Sequence, residues 1–317
     1  MSTKFLTQLS QDFTKLLENN INYDVIIKVG KEEEVETLKV HSAILSVRSS
    51  YFERAFSNQW KKTEGNLLKL DKPNIRPFIF KIILKFIYGG MIEINKFNAN
   101  DILDILIAAD ELCIIELFDE LQKYLIKNES SWIKQNFIYV HEIIFQHDTF
   151  IYLKEFWNNT ILKEPRLLFE AKNFSEFEES SLIEILEMDD LNIEEIDIWI
   201  NVIRWAIENF PNNSTSILFW SNDDLNLLKD SLKNIIPLIR FCSMSSDEFY
   251  NHIKPYSKIL DESLYDDILH YHLVKNWEPS FITILPKRRI IHQSLPTIEK
   301  SKSKLRDLDK TMGGVIT

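Results

Sequence analysis

A chain of 317 residues has room for two domains, and with 45% apolar and 27% charged residues it is ordinary globular material, which excludes disorder as its main state. Lys and Arg number 37 against 48 Asp and Glu, and the resulting net charge of −11 repels a phosphate backbone, so nucleic acid is excluded as the default partner. Only 6 Gly argue against phosphate-cradling loops, while 21 Phe, 10 Tyr and 7 Trp supply cores for a mostly helical fold.

From the amino terminus, Phe5, Leu6, Leu9, Phe13, Leu16 and Leu17 recur at helical spacing and predict an amphipathic helix that Asn19-Asn20 breaks. Tyr23 to Val29 is rich in β-branched residues and ends at Gly30, which predicts a strand. After the charged turn Lys31 to Glu34, Val35 to Val40 returns as its hairpin partner. Ala43, Ile44, Leu45 and Val47 then give one apolar helix face, and Ser49 or Ser50 can open a second short helix that sets Phe52, Ala55 and Phe56 on one side. His41, at the strand-to-helix junction, reads as a buried structural histidine bonded to nearby backbone.

Leu67 to Leu70 predicts a third strand, and Pro73 to Pro77 leads into a helix with Phe78, Ile79, Ile82, Ile83 and Phe86 on one face, stopped at Tyr88-Gly89-Gly90 by a glycine free to turn left-handed. Met91 to Ile94 reads as extended. Asn100 or Asp101 is the expected cap of a helix burying Ile102, Ile105, Leu106 and Ala109, and Leu112 to Ile126 supplies another.

Val40, His41, Leu45, Ser49, Tyr51 and Phe52 match the central pattern of the BTB/POZ family, which this stretch resembles. The resemblance continues through Phe78, Leu84, Phe86, Tyr88 and Gly89, then Ala108 to Leu112, Leu117, Leu121 and Leu125. It implies an α+β domain, a small sheet with helical hairpins, whose core holds His41, Leu45, Phe52, Phe86 and Leu112. It also implies a homodimer built on the amino-terminal helix, with Phe5, Leu6, Leu9, Phe13 and Leu16 at the interface.

Beyond a polar joint at Lys127 to Ser131 the pattern is almost wholly helical to Leu273. Trp132 to Phe145 and Phe150 to Leu162 predict an antiparallel pair, Pro165 starts a short helix, Leu182, Ile185 and Leu186 form another face, and Ile198, Trp199, Val202, Ile203, Trp205 and Ala206 lie inward on a helix ended by Pro211. Asp190-Leu191, Glu195, Trp199 and Trp205, with Ile239-Arg240-Phe241, Met244-Ser245 and Glu248-Phe249, resemble the all-α BACK domain that commonly follows BTB. The expected organisation is BTB/POZ at 1–127, a BACK-like helical domain at 128–276 and a flexible tail at 277–317. In kelch-like and BTB-BACK-TLDc proteins a third domain often follows, for which this chain has no room, so a truncated or abbreviated member is expected.

Candidate chemistry is sparse. There is no G-x-S-x-G, P-loop or H-E-x-x-H, and Cys113 and Cys242 are far apart and outside any C-x-x-C pair, so the reading is no enzyme, no cofactor, no metal and reduced thiols. His270 and His272 fall on different sides of a helix, and the Glu176 to Glu179 run reads as a solvated face. Lys287-Arg288-Arg289 reads as a solubilising run, with nuclear import the alternative. The amino terminus lacks a signal-peptide core and no apolar run reaches membrane-spanning length, so the expectation is a cytoplasmic protein with the nucleus left open.

The resemblance implies a protein-interaction adaptor that recruits an unknown protein substrate to a cullin-3 RING ubiquitin ligase; the alternative is a dimeric or transcription-associated BTB scaffold that engages no cullin. Cullin-binding relatives commonly carry an apolar residue, a spacer and a glutamate after the second short helix. Here Phe56, Trp60, Lys62 and Glu64 occupy that region, with Trp60 as the apolar anchor, Lys62 where the glutamate belongs, and Glu64 two residues on.

Overall fold

The computed structural model describes residues 5–57, 62–209, 220–274, 285, 287 and 288. The chain divides into two compact units, Met1–Asn158 and Asn159–Thr317, so the division falls beyond the polar joint at 127–131.

In the first unit, α1 (Leu6–Glu18) precedes a four-stranded sheet of order β2-β1-β4-β3, formed by β1 (Val25–Val29), β2 (Glu36–Val40), β3 (Lys62–Glu64) and β4 (Leu67–Lys72). β1 pairs antiparallel with β2, Val25 opposite Val40, and parallel with β4, Val25 opposite Leu68. The alternation of β1 puts Val25, Ile27 and Val29 into the core at zero exposure, which a one-residue slip would reverse. Gly30 closes the strand at φ +92°, where a Cβ would lie 2.8 Å from the Glu34 carbonyl and 3.0 Å from the Pro77 ring. β3, three residues long, is not among the sequence-based expectations.

The helices of this unit pack into a cluster of α2 (Ser42–Arg48), α3 (Ser50–Ala55), α4 (Pro77–Gly89), α5 (Ala99–Glu111) and α6 (Ile115–Asn128). α4 buries Ile79, Phe80, Ile83, Leu84, Phe86, Ile87 and Tyr88 and ends at Gly90 with φ +68°. Phe78, expected inward, is instead half exposed on the outer face. On α2 only Leu45 is buried, while Ala43 and Val47 face solvent. Asn98, not Asn100 or Asp101, caps α5, its side chain accepting from the Asp101 N–H at 2.9 Å. Residues 91–93 make no strand and lead into a 3-10 turn, Ile94–Lys96.

The expected helix from Trp132 to Phe145 is two, α7 (Ser130–Gln135) and α8 (Phe137–Ile144), broken at Asn136. α9 (Ile151–Lys163) lays Trp157 against α8: the indole stacks on Phe137 at 4.4 Å and donates to the Phe137 carbonyl at 3.0 Å. His141 on α8 lies against the same indole at 4.7 Å and against Phe145 at 4.3 Å. Burial drives its imidazole down to about 4.

The second unit is helical among its described residues: α10 (Arg166–Phe169), α11 (Glu179–Glu187), α12 (Glu195–Glu208), α13 (Asn222–Leu232), α14 (Ser246–Glu248) and α15 (Glu262–Leu273), with a π-helical turn at Phe249–Ile253. α12 buries Ile198, Trp199, Val202, Ile203, Trp205 and Ala206. Pro211 lies outside the described residues. One expectation fails here. Arg288, assigned to a solubilising run, is buried: Nε donates to Glu195 Oε2 at 2.9 Å, and Nη1 donates to the carbonyls of Leu186 at 3.0 Å and Met188 at 2.5 Å. Glu195 also accepts from the Arg240 N–H at 2.9 Å, so its carboxylate is gripped from two chain segments.

Candidate functional site

The corner between α2 and α3 is fixed by polar side chains that the local sequence places at helix ends. Ser49 is extended at φ −148°, accepts from the Phe52 N–H at 3.2 Å and donates from Oγ to the Leu112 carbonyl at 2.6 Å, tying α3 to the end of α5. His41 is held from both ring nitrogens. Nε2 lies 2.6 Å from the Ile21 carbonyl and so carries the proton, leaving Nδ1 to accept from the Tyr88 hydroxyl at 2.8 Å. That hydroxyl in turn accepts from the His41 backbone N–H at 2.9 Å. Burial pushes the Tyr88 phenol up to about 12, so it stays neutral and able to donate. Every polar atom of this pair points inward and is used, which makes His41 a scaffold residue. Leu45, Phe52, Phe86 and Leu112 are all buried, Phe52 meeting Phe80 edge to face at 6.5 Å.

The helices so fixed present two surfaces. The first is α1, which packs against its own domain by a polar edge: Ser10 Oγ donates to the Gly89 carbonyl at 2.5 Å, and Thr14 sits close enough that a Cβ on Gly89 would lie 3.0 Å from its hydroxyl oxygen. The apolar side faces out, with Phe5 74%, Leu6 65%, Leu9 53% and Phe13 37% exposed, and Leu16 half-buried. An amphipathic helix turned with its polar edge inward leaves its large apolar side chains exposed along one side.

The second surface follows α3. Phe56 is half-buried and stacks on Phe52 at 5.8 Å, anchoring the point where the chain leaves the helix. Trp60 lies outside the described residues. Lys62 and Glu64 are the first and last residues of β3, opposite Lys69 and Leu67 of β4, so the backbone carrying them belongs to the sheet rather than to a loop. Lys72, at the end of β4, is buried under the Tyr51 ring at 4.2 Å and pairs with Glu111. Sequence reading missed this pair, because Lys72 lies past the predicted strand at 67–70 and a lysine gives no local sign of being inward.

Among the described residues no cluster of His, Cys, Asp and Glu could hold a metal ion, and no helix is long and apolar enough to cross a membrane.

The BTB/POZ domain family matches residues 13–129. Kelch-like protein 25 of Xenopus tropicalis is 24% identical over 207 residues, covering 65% of this chain and 31% of that protein. Kelch repeat and BTB domain-containing protein 1 of cowpox virus is 32% identical over 182 residues, covering 54% of this chain and 29% of that protein. The chain therefore spans about a third of the length of these relatives. Among solved structures, the BTB domain of zebrafish PATZ1 aligns over 40% of this chain with 22% identity and a TM-score of 0.33. Residues 13–129 are a BTB/POZ domain, homologous to those of kelch-like and kelch/BTB proteins, and a mostly helical region follows it.

Proposed function

We propose that this chain is a protein-interaction adaptor that pairs with a second copy of itself through α1 and docks a cullin-3 RING ubiquitin ligase through the surface after α3. The following helical region, which resembles a BACK domain, carries a protein substrate toward the ligase. The observation that carries the reading is the orientation of α1: four large apolar side chains face solvent while Ser10 and Thr14 occupy the contact with α4. Burying such a face against an identical one gives a two-fold interface in which each residue is used twice.

The cullin contact is supported by the resemblance of the Val40 to Phe52 pattern and by the kelch-like relatives, and it is weakened by Lys62. A cation in place of the family glutamate replaces attraction by repulsion, and like-charge juxtaposition at an interface costs several kcal/mol when poorly solvated. The same lysine is what favours the second reading, a dimeric scaffold without a cullin. Calorimetry of the full chain against a cullin-3 amino-terminal fragment separates them. Weak binding is expected, abolished by Trp60→Ala and strengthened by Lys62→Glu. Absence of binding by both the natural chain and Lys62→Glu favours the scaffold, and tight binding indifferent to either substitution assigns the contact to another surface.

A further inference from the structure

The chain as a whole is acidic, yet one groove on its first unit is basic and lies beside an unfinished sheet. β2 is an edge strand five residues long, whereas the opposite edge, β3, has only three. An edge strand offers backbone N–H and C=O groups to any extended segment that reaches it. Beside β2, a groove of about 560 Å³ runs between the strand, the end of α1 and the outer face of α4. Its apolar floor comes from Leu38 on β2 with Phe78 and Ile82 on α4, Phe78 being 51% exposed. That exposure is the same feature that departs from the sequence-based expectation for α4.

Lys81 and Lys85 on α4 line the groove against one carboxylate, Glu18, and Lys39 borders it with its ammonium over the Tyr23 ring at 4.8 Å. Glu36 sits nearby and pairs with Lys81 at 2.5 Å, but both partners are 47% exposed, so the pair is worth little and can be exchanged. In a chain of net charge −11, this local reversal selects for an anionic partner. A second copy is a poor occupant, since it would bring the same lysines to the same place.

We infer that β2 and this groove bind an extended acidic segment of another protein, which adds a strand to the sheet and turns every second side chain toward α4, apolar ones over Leu38, Ile82 and Phe78 and carboxylates beside Lys81 and Lys85. Strand addition takes affinity from main-chain hydrogen bonds and specificity from alternate side chains. At about 3.3 Å per residue, β2 accommodates a segment of about five residues.

A random nonapeptide display library, selected on the full chain and counter-selected on Lys39→Glu/Lys81→Glu/Lys85→Glu, tests this. The expected result is a class of peptides with apolar and acidic residues together at every second position, retained by the natural chain and lost on the variant, with the variant's melting temperature unchanged. A synthetic member should protect the amides of residues 36–40 from hydrogen exchange, and lose about tenfold in affinity on the single substitution Lys85→Glu or when its central residue is proline. No class lost on charge reversal, a lost class without acidic residues, protection confined to other segments, or binding indifferent to proline each overturns the inference.

Discussion

Replacing Arg288 by alanine removes a guanidinium whose side chain is 2% exposed from a carboxylate that is 4% exposed. The charge-assisted bond to Glu195 is lost, the Leu186 and Met188 carbonyls lose a donor, and Glu195 keeps only the Arg240 N–H among the hydrogen bonds described above. Breaking a buried pair from one side typically costs about 3–5 kcal/mol, because the remaining charge stays buried. For a unit of this size each kcal/mol shifts the melting temperature by about 2–4 °C, so a fall of about 6 °C or more is expected. Fluorescence of Trp199 and Trp205, both buried on α12 in the same unit, reports it. Glu195→Gln should also destabilise, since it removes the charge while an amide oxygen can still accept from Arg240. The double variant should lose less than the two single losses added together, because the orphaned charge is gone. A chain ending at residue 276 should melt like Arg288→Ala. An unchanged melting temperature in Arg288→Ala would refute the argument, for it would mean that the segment carrying Arg288 contributes nothing to the second unit.

Two further outcomes concern the first unit. His141 has its folded pKa lowered to about 4 from an ordinary 6.5, so the unfolded chain binds the proton more readily. Its contribution is fully present above about pH 6.5 and is lost as pH falls toward 4, by at most about 3 kcal/mol. Denaturant titrations at pH 7 and pH 5 check this, and His141→Gln should flatten the difference. Phe52→Ala opens a cavity beneath α3 against Phe56 and Phe80 and is expected to cost about 3–5 kcal/mol in chemical denaturation.

Legibility in the sequence followed how much of the structure is set by local pattern. The six apolar positions of α12 could be named in advance because its stripe is flanked by charged residues that leave one face to bury. α4 is apolar almost all round, so periodicity could not say which side faces the core, and Phe78 went to the wrong one. The cap of α5 was misplaced by two or three residues because Asn98, Asn100 and Asp101 all have capping side chains; Asn98 wins with Asp101 three residues on, where its N–H can be reached. The break between α7 and α8 rests on Asn136 alone, within a pattern that runs on at helical spacing. Arg288 and Lys72 were unreadable for a different reason. Their partners, Glu195 and Glu111, lie 93 and 39 residues away, and burial of a charge depends on such long-range pairing rather than on neighbours in sequence. The same holds for the outward turn of α1. Spacing shows that the helix is amphipathic, but only Ser10 against Gly89 shows which edge its own domain takes.

The reading of α1 as a self-association surface is tested most directly by light scattering of the full chain at micromolar concentration, alone and as Leu9→Asp/Phe13→Asp. The account predicts twice the single-chain mass for the natural protein and the single-chain mass for the variant, with no change in the variant's far-ultraviolet circular dichroism, since both side chains already face solvent within one copy. A natural chain that runs at single-chain mass, or a variant that remains at twice that mass, would contradict it.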